Sequence, residues 1–388
     1  MKRNRIILMI LWLLSLAGIS FFAGPVSYGF FFLFTAIPAV SVIYVLYVYF
    51  FYRIYQELEG KSPVAGQSVP FYFTLMNEFP LGFTSIRTSF FSSFSTISGL
   101  EGDPEYELLG RSGIKKRTEL ICRYRGEYEV GIKTVEIQDP FRLIRFISHN
   151  RETLRVTVRP RLIDLTGWDR TEELQTMSKD SLTDPGEPDV IVRKYVPGDD
   201  IRQINWKASA RSGELLVRKL TGEEREGISV IMGTERLSDD PFIYLPVENK
   251  MLELTLALSL YYIKKNIPAR ILWTASGLCD KRVSSLAGFD EFYEELSSAE
   301  FKSDSREELL LTEAAKTPGI FQSKTVFLVL DHWSEQILHL AGNLRMNNIS
   351  TVVYLIKKDL KKERPEEGIP GVRIVYIDAM QELLEAKL

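Results

Sequence analysis

The residues best suited to chemistry lie between Val192 and Arg218. Residues 190–220 hold seven basic side chains against three acidic ones. Arginine presents forked donors that match phosphate and carboxylate groups, so this density predicts a cationic groove for a phosphate or an acidic partner. The candidate binding or domain-junction residues are Arg193, Tyr195, Asp199, Asp200, Arg202, Asn205, Trp206, Lys207 and Arg211.

Two other interpretations of the same residues stay open. In the structural one, Asp199 and Asp200 pair with arginines in an internal lattice and Trp206 packs between domains. In the enzymatic one, the adjacent aspartates act as acid, base or metal ligand, with Arg193, Lys207 and Arg211 around a phosphorylated or nucleic-acid substrate. Adjacent aspartates more often cap helices and form ion pairs, so no catalytic residue is assigned.

A turn, a short helix and a strand must position these side chains. Pro197-Gly198 predicts the turn, and Asp200 with Gln203 three residues later fits a capping box. Gly213 is placed to end the helix, and Glu214–Leu220 then resumes as a strand. On such a helix Gln203, Lys207 and Arg211 share one face.

The segment resembles the domain-of-unknown-function 58 family. The resemblance rests on Arg193–Asp200, Arg202, Ile204–Arg211 and Gly213–Leu215, with Tyr124–Tyr128, Asp139-Pro140-Phe141 and Val158-Arg159-Pro160 upstream. It spans roughly residues 6–230. One departure is Arg142, where the family usually has glycine, so a local turn is expected to differ.

The resemblance implies a paired transmembrane anchor, a β-sandwich and a C-terminal domain similar to the von Willebrand factor A fold. It also implies association with MoxR-type AAA+ ATPases. Such a domain often binds a divalent cation through Asp-x-Ser-x-Ser after its first strand. Here Gly233, Glu235 and Leu237 occupy those positions, and Arg236 adds a positive charge. Asp331 alone cannot hold a metal, so neither a metal nor a cofactor is expected.

The start of the chain predicts a membrane anchor. Forty-seven consecutive residues, Ile6 to Tyr52, contain no Asp, Glu, Lys, Arg or His. They divide into apolar runs of roughly Ile6–Phe22 and Gly29–Tyr52 around a break at Ala23–Ser27. Each run approaches the length of about 20 residues that crosses a bilayer as a helix. A helical hairpin is therefore expected.

The charges that flank the hairpin predict its orientation. Lys2, Arg3 and Arg5 precede the first run and Arg53 follows the second, while the turn carries no positive charge. Positive residues favour the cytoplasmic side, so both ends are expected in the cytoplasm of a multi-pass plasma-membrane protein. If the first run were instead a signal peptide, the second run would still leave Arg53 and the residues after it in the cytoplasm.

The rest of the chain predicts two domains. Alternating short strands over 53–165 suggest an antiparallel β-sandwich. A polar linker and the signature segment follow over 166–226. Over 227–388, strands that are apolar on both faces alternate with amphipathic helices, which indicates a doubly wound α/β domain. The expected order is a basic tail (1–5), a transmembrane hairpin (6–52), a sandwich, a linker and the α/β domain.

Composition narrows the function. The formal net charge is only −3, so no overall field favours nucleic acid. No Gly-x-Ser-x-Gly, His-Glu-x-x-His or Cys-x-x-Cys motif is present. We therefore expect a membrane-anchored, non-catalytic adaptor that presents cytosolic domains to a protein partner. Extracellular metal-dependent adhesion is disfavoured by the topology and by Gly233.

Overall fold

The computed structural model describes residues 1–22, 24–60, 62–100, 102–165, 190–195, 206–220, 227–274, 277–303, 307–358 and 372–383. The chain forms two compact units, Met1–Arg161 and Leu162–Leu388.

The first unit begins with two helices, α1 (Lys2–Phe22) and α2 (Pro25–Phe51). Both are long and apolar enough to cross a membrane, with a mean hydropathy of 2.2 each. α2 begins at Pro25 and not near Gly29, because proline suits the first turn of a helix, where its missing N–H costs nothing. Trp12 Nε1 donates to Thr35 Oγ1 over 3.0 Å and links the two helices.

Ten strands follow in the described part of the first unit. They are β1 (Tyr52–Leu58), β2 (Ser68–Asn77), β3 (Phe83–Phe90), β4 (Ser95–Ile97), β5 (Glu105–Leu108), β6 (Ser112–Cys122), β7 (Gly126–Val130), β8 (Ile132–Gln138), β9 (Arg145–His149) and β10 (Leu154–Val158). Two four-stranded sheets have the orders β1-β2-β6-β4 and β5-β3-β8-β9, and β10 pairs with β7. All these pairs are antiparallel.

One hydrophobic core serves both four-stranded sheets. Phe71 and Phe73 from β2 lie in the same buried cluster as Ile86 from β3 and Val135 from β8. The alternation expected over 127–137 is interrupted at Gly131, whose φ of 84° lets the chain pass from β7 to β8 in a different sheet.

The turn after Asp-Pro-Phe places an arginine in an uncommon backbone conformation. Arg142 has a φ of 55°, in the left-handed region that glycine adopts without strain. Whether this turn differs from that of the family stays a prediction.

The second unit holds the signature segment and the α/β elements. Its strands are β11 (Val190–Lys194), β12 (Leu216–Leu220), β13 (Ile228–Met232), β14 (Ala269–Thr274), β15 (Leu278–Val283), β16 (Thr325–Leu330), β17 (Ser350–Lys357) and β18 (Val372–Asp378). Its helices are α3 (Trp206–Ser212), α4 (Pro241–Lys264), α5 (Leu286–Ser297), α6 (Glu307–Lys316) and α7 (Glu335–Met346).

A six-stranded sheet, β15-β14-β13-β16-β17-β18, is parallel except for β15. Val230 and Phe327 pack on one face with residues of α4 and α5, whereas Ile231 and Leu328 pack on the other with residues of α6 and α7. The strands β13, β16 and β17 are buried on both faces, as their apolar runs predicted, whereas the edge strand β18 is only partly buried. Leu165, which the sequence placed in the first domain, packs in the core of this second unit.

Candidate functional site

The signature segment folds as an antiparallel hairpin with a helix in its connection. β11 pairs with β12 from Val190↔Leu220 to Lys194↔Leu216. α3 ends at Ser212, and Gly213 follows with a φ of 73°, so the predicted helix stop is confirmed. The expected capping residues Asp200 and Gln203 lie outside the described residues.

The structure places five of the nine candidate residues. Arg193 lies in β11, and the Tyr195 N–H donates to the Leu215 carbonyl over 2.8 Å. Trp206 is 64% exposed, and Lys207 and Arg211 are exposed on the same helix one turn apart. The other four, Asp199, Asp200, Arg202 and Asn205, lie outside the described residues.

One contact joins the end of β11 to the residues after the helix, and a second holds the helix to β12. The exposed ion pair between Lys194 Nζ and Glu214 Oε2 spans 2.6 Å. The buried Ser209 Oγ accepts from the Leu216 N–H over 2.8 Å. These contacts join residues within the segment. The ion pairs that the lattice interpretation gave Asp199 and Asp200 lie outside the described residues, and its placement of Trp206 between domains stays a prediction.

A second cluster lies at the carboxyl ends of the adjacent parallel strands β13 and β16. Asp331 and His332 follow β16, and Glu307 begins α6. Ligand atoms of these three residues all lie within 4.8 Å of one another. Glu235, which follows β13, accepts from the Glu307 N–H over 3.0 Å. The carboxyl edge of such a sheet is where ligands commonly bind in α/β folds.

Burial and mutual charge perturb this cluster. Burial raises the pKa of Glu307 to about 8, and both of its carboxylate oxygens are buried without a hydrogen-bond partner among the described residues. The hydrogen bond from His332 Nδ1 to Asp331 Oδ1, 2.7 Å long, raises the pKa of His332 to about 9. His332 Nδ1 also lies 3.7 Å from Glu307 Oε2. The cluster can hold a proton or a positive charge at neutral pH.

These residues do not fit the cation site of a von Willebrand A-type domain. A side chain at Gly233 would begin 2.6 Å from Glu307 Oε2, so Glu307 fills the space that an aspartate there would need. Asp331 nevertheless has two possible ligand residues, Glu307 and His332, close to it. Glu307 escaped sequence reasoning because an acidic residue at a helix start is ordinary and its distance in sequence from Asp331 gives no signal.

Arg236 faces away from this cluster. Its Nε and Nη2 donate to Glu248 Oε1 and Oε2 over 2.6 and 3.2 Å, and its guanidinium lies 3.9 Å from the Tyr244 ring centre. Arg236 therefore neutralises a buried carboxylate of α4.

Substitution Arg236→Lys is expected to lower the free energy of unfolding of the second unit by about 1–2 kcal/mol, because lysine cannot reproduce the fork or the stacking. Calorimetry of the full chain in detergent measures this loss. The exposed Arg282→Lys serves as the control, with an expected change within about 0.5 kcal/mol. Equal losses for both variants would contradict the assignment.

Comparison with known proteins identifies a family for part of the chain. Residues 191–273 match the family described as "Protein of unknown function DUF58". The resemblance carried by the signature is therefore confirmed over these residues. No curated protein matches the chain.

Solved structures give only distant similarity. A CARDB domain from Pyrococcus furiosus is 14% identical with a TM-score of 0.19, over 28% of this chain and 89% of that one. A von Willebrand factor type A protein from Catenulispora acidiphila is 9% identical with a TM-score of 0.26, over 42% of this chain and 39% of that one. Scores this low do not define the fold.

Proposed function

We propose that this protein is a membrane-anchored, non-catalytic adaptor that presents its signature helix to an acidic surface of a protein partner. The observation that supports this best is the exposure of Trp206, Lys207 and Arg211 together on α3. Tryptophan and arginine are enriched among the residues that dominate binding energy at protein interfaces. An exposed tryptophan beside two cations fits an apolar pocket rimmed by carboxylates.

The support for α3 favours recognition over mere solvation. Ser209 ties this short helix to β12, and the Lys194–Glu214 pair closes the hairpin beside it, so less ordering entropy opposes binding. The family resemblance points to a MoxR-type AAA+ ATPase as the partner, and such an ATPase would supply the energy of ATP hydrolysis.

The rest of the molecule serves to hold this surface at the membrane. We propose that α1 and α2 span the plasma membrane with both ends in the cytoplasm, as the flanking Lys2, Arg3, Arg5 and Arg53 favour. The first unit then supplies a β-sandwich next to the bilayer, and the second a doubly wound, von Willebrand A-like body. Protease added outside intact cells should leave both units uncut, and cleavage of either would refute this orientation.

Photo-crosslinking in native membranes tests the adaptor role. A crosslinking amino acid at position 206 is expected to capture an AAA+ ATPase, whereas the same group at Met346, an exposed residue of α7, is not. The double substitution Trp206→Ala and Arg211→Ala should weaken association at least about tenfold, which corresponds to about 1.4 kcal/mol. Capture of no protein at position 206, or equal capture at both positions, would refute the proposal.

A further inference from the structure

Three loops lie at the end of the sheets where α2 enters. α2 leads directly into β1. Tyr52, the first residue of β1, pairs with Asn77 at the end of β2. Asn77 pairs with Ser112, which begins β6. Phe83 pairs with Leu108, and Gln138 pairs with Arg145. The loops 78–82, 109–111 and 139–144 therefore share this end of the unit, and we name them the collar.

The collar concentrates exposed apolar side chains and cations. Each loop offers one large apolar residue to solvent: Leu81 is 52% exposed, Leu109 80% and Phe141 47%. Arg111 and Arg142 are exposed beside them. At the opposite end, the described loops 62–67, 91–94, 123–125 and 150–153 expose no large apolar side chain. The asymmetry follows the position of the helices.

Contacts between the collar and the two helices show where the part of each helix that packs on the first unit ends. Asn4 Nδ2 donates to the Phe141 carbonyl over 3.0 Å, and Arg5 Nε donates to the Leu143 carbonyl over 2.6 Å. On α2, Ser41 Oγ donates to Asp139 Oδ2 over 3.0 Å. The apolar residues beyond these points are Ile6–Phe22 on α1 and 25–40 on α2.

The last part of α2 is consequently a packing segment of the first unit. Val45 and Val48 are buried in the core of that unit, and the Tyr44 hydroxyl donates to the Gly82 carbonyl over 3.2 Å. The apolar run was predicted to extend to Tyr52, but the part of α2 that is free to cross a bilayer ends near Ser41.

The part of the helical hairpin that does not pack on the first unit is short, so the collar lies close to the bilayer. About 17 residues at about 1.5 Å each give roughly 25 Å, less than the hydrocarbon thickness of about 30 Å. A short span draws the groups at its ends toward the hydrocarbon. Leucine and phenylalanine tips with neighbouring arginines are suited to the interface, where apolar side chains enter and cations meet anionic headgroups.

We propose that the collar rests in the headgroup layer of the bilayer spanned by α1 and α2, with Leu81, Leu109 and Phe141 inserted and with Arg111 and Arg142 on anionic lipid. This inference rests on the membrane anchor of the proposed function.

Fluorescence quenching of the full chain in nanodiscs tests the proposal. In a Cys279→Ser background, which leaves only the buried Cys122, an environment-sensitive dye is attached at Leu109→Cys or Phe141→Cys. The matched control is Ser93→Cys, exposed at the opposite end of the sheets, and Leu14→Cys on α1 reports the anchor itself. Nanodiscs of phosphatidylcholine and phosphatidylglycerol carry bromine on the lipid chains near the headgroup.

Emission from positions 109 and 141 is expected to shift to the blue and to be quenched at least about twofold more than from position 93. Quenching at 14 without quenching at 109 and 141 overturns the collar alone. No quenching at any position overturns the membrane anchor as well. A blue shift at 109 that persists without lipid quenching indicates contact between copies and also overturns the proposal.

The cations give a second readout. Arg142→Gln combined with Arg111→Gln is expected to abolish the extra quenching that phosphatidylglycerol gives over pure phosphatidylcholine, since both contacts with anionic headgroups are lost. The same double substitution leaves position 14 unchanged if the anchor is intact. Undiminished dependence on phosphatidylglycerol would remove the arginines from the proposal.

Discussion

Replacing Asp139 with alanine is expected to lower the free energy of unfolding of the first unit by about 3–5 kcal/mol. Asp139 is buried, and Oδ1 accepts from the N–H groups of Leu143 and Ile144 over 2.7 and 2.5 Å. Oδ2 accepts from the Phe141 N–H and from Ser41 Oγ, both over 3.0 Å. Alanine leaves three backbone donors without this acceptor and detaches α2 from the loop.

Pulse proteolysis in urea, applied to the full chain in detergent, measures this loss through cleavage within residues 53–161. Asp139→Asn is expected to lose less, because its carbonyl oxygen retains the bonds to Leu143 and Ile144 while its NH2 group faces the Phe141 N–H. The exposed Asp103→Ala is the control and should change stability by less than about 0.5 kcal/mol. Equal stability of Asp139→Ala and Asp103→Ala would show that the carboxylate does not hold the junction.

The sequence identified the segment around Asp139 but not its role. Asp139-Pro140-Phe141 was noticed only as part of a family pattern, and the partner Ser41 lies 98 positions away in an apolar run. Such a distance carries no periodic signal. The strands of both units could be predicted from the sequence. Alternating apolar residues indicate burial on one face of a strand, and continuous apolar runs indicate burial on both.

Helix ends were predicted where a local residue determines them. Gly213 ends α3 through its left-handed backbone, and this information resides in one residue. Trp206 shows the limit of the same reasoning. Tryptophan side chains are on average highly buried, yet Trp206 is 64% exposed. Its exposure depends on where α3 packs, and the neighbouring residues in the sequence do not determine that position.

The acid–histidine cluster at the sheet edge was missed for a related reason. Glu307 begins α6 and His332 follows β16, so the two residues are distant in sequence and meet only in the folded unit. The von Willebrand A-type comparison directed attention to Gly233, where a missing side chain marks the space that Glu307 occupies. The missing side chain at Gly233 thus corresponds to the space that the Glu307 carboxyl group fills.

Replacing Glu307 with glutamine is expected to raise the free energy of unfolding of the second unit by about 2 kcal/mol near pH 8. The pKa of Glu307 in the folded protein, about 8, lies above its ordinary value of 4.5, so the folded state binds the proton more tightly. Stability from this group is present in full below about pH 4.5 and falls as the pH rises through 8. Glutamine keeps the shape of the protonated acid and removes this fall.

His332 makes the expected gain smaller than the shift at Glu307 alone implies. Its pKa of about 9 lies above the ordinary 6.5, so it stabilises the fold below about pH 6.5, and this contribution is lost as the pH rises through 9. The carboxylate of Glu307 contributes to that raised pKa, and the two groups titrate as a coupled pair. In Glu307→Gln the slope of stability against pH should therefore shrink between about pH 5 and 8 and persist, reduced, between about 6.5 and 9.

Calorimetry of the full chain in detergent from pH 5 to 9, with chelator present, measures these slopes, because a bound divalent cation would itself favour the carboxylate. The neighbouring, exposed Glu308→Gln is the matched control and should follow the unmodified protein at every pH. A parallel curve for Glu307→Gln would mean that the buried carboxyl does not change its protonation on unfolding. The pH dependence then has to come from His332, and the isolated substitution His332→Gln would remove it.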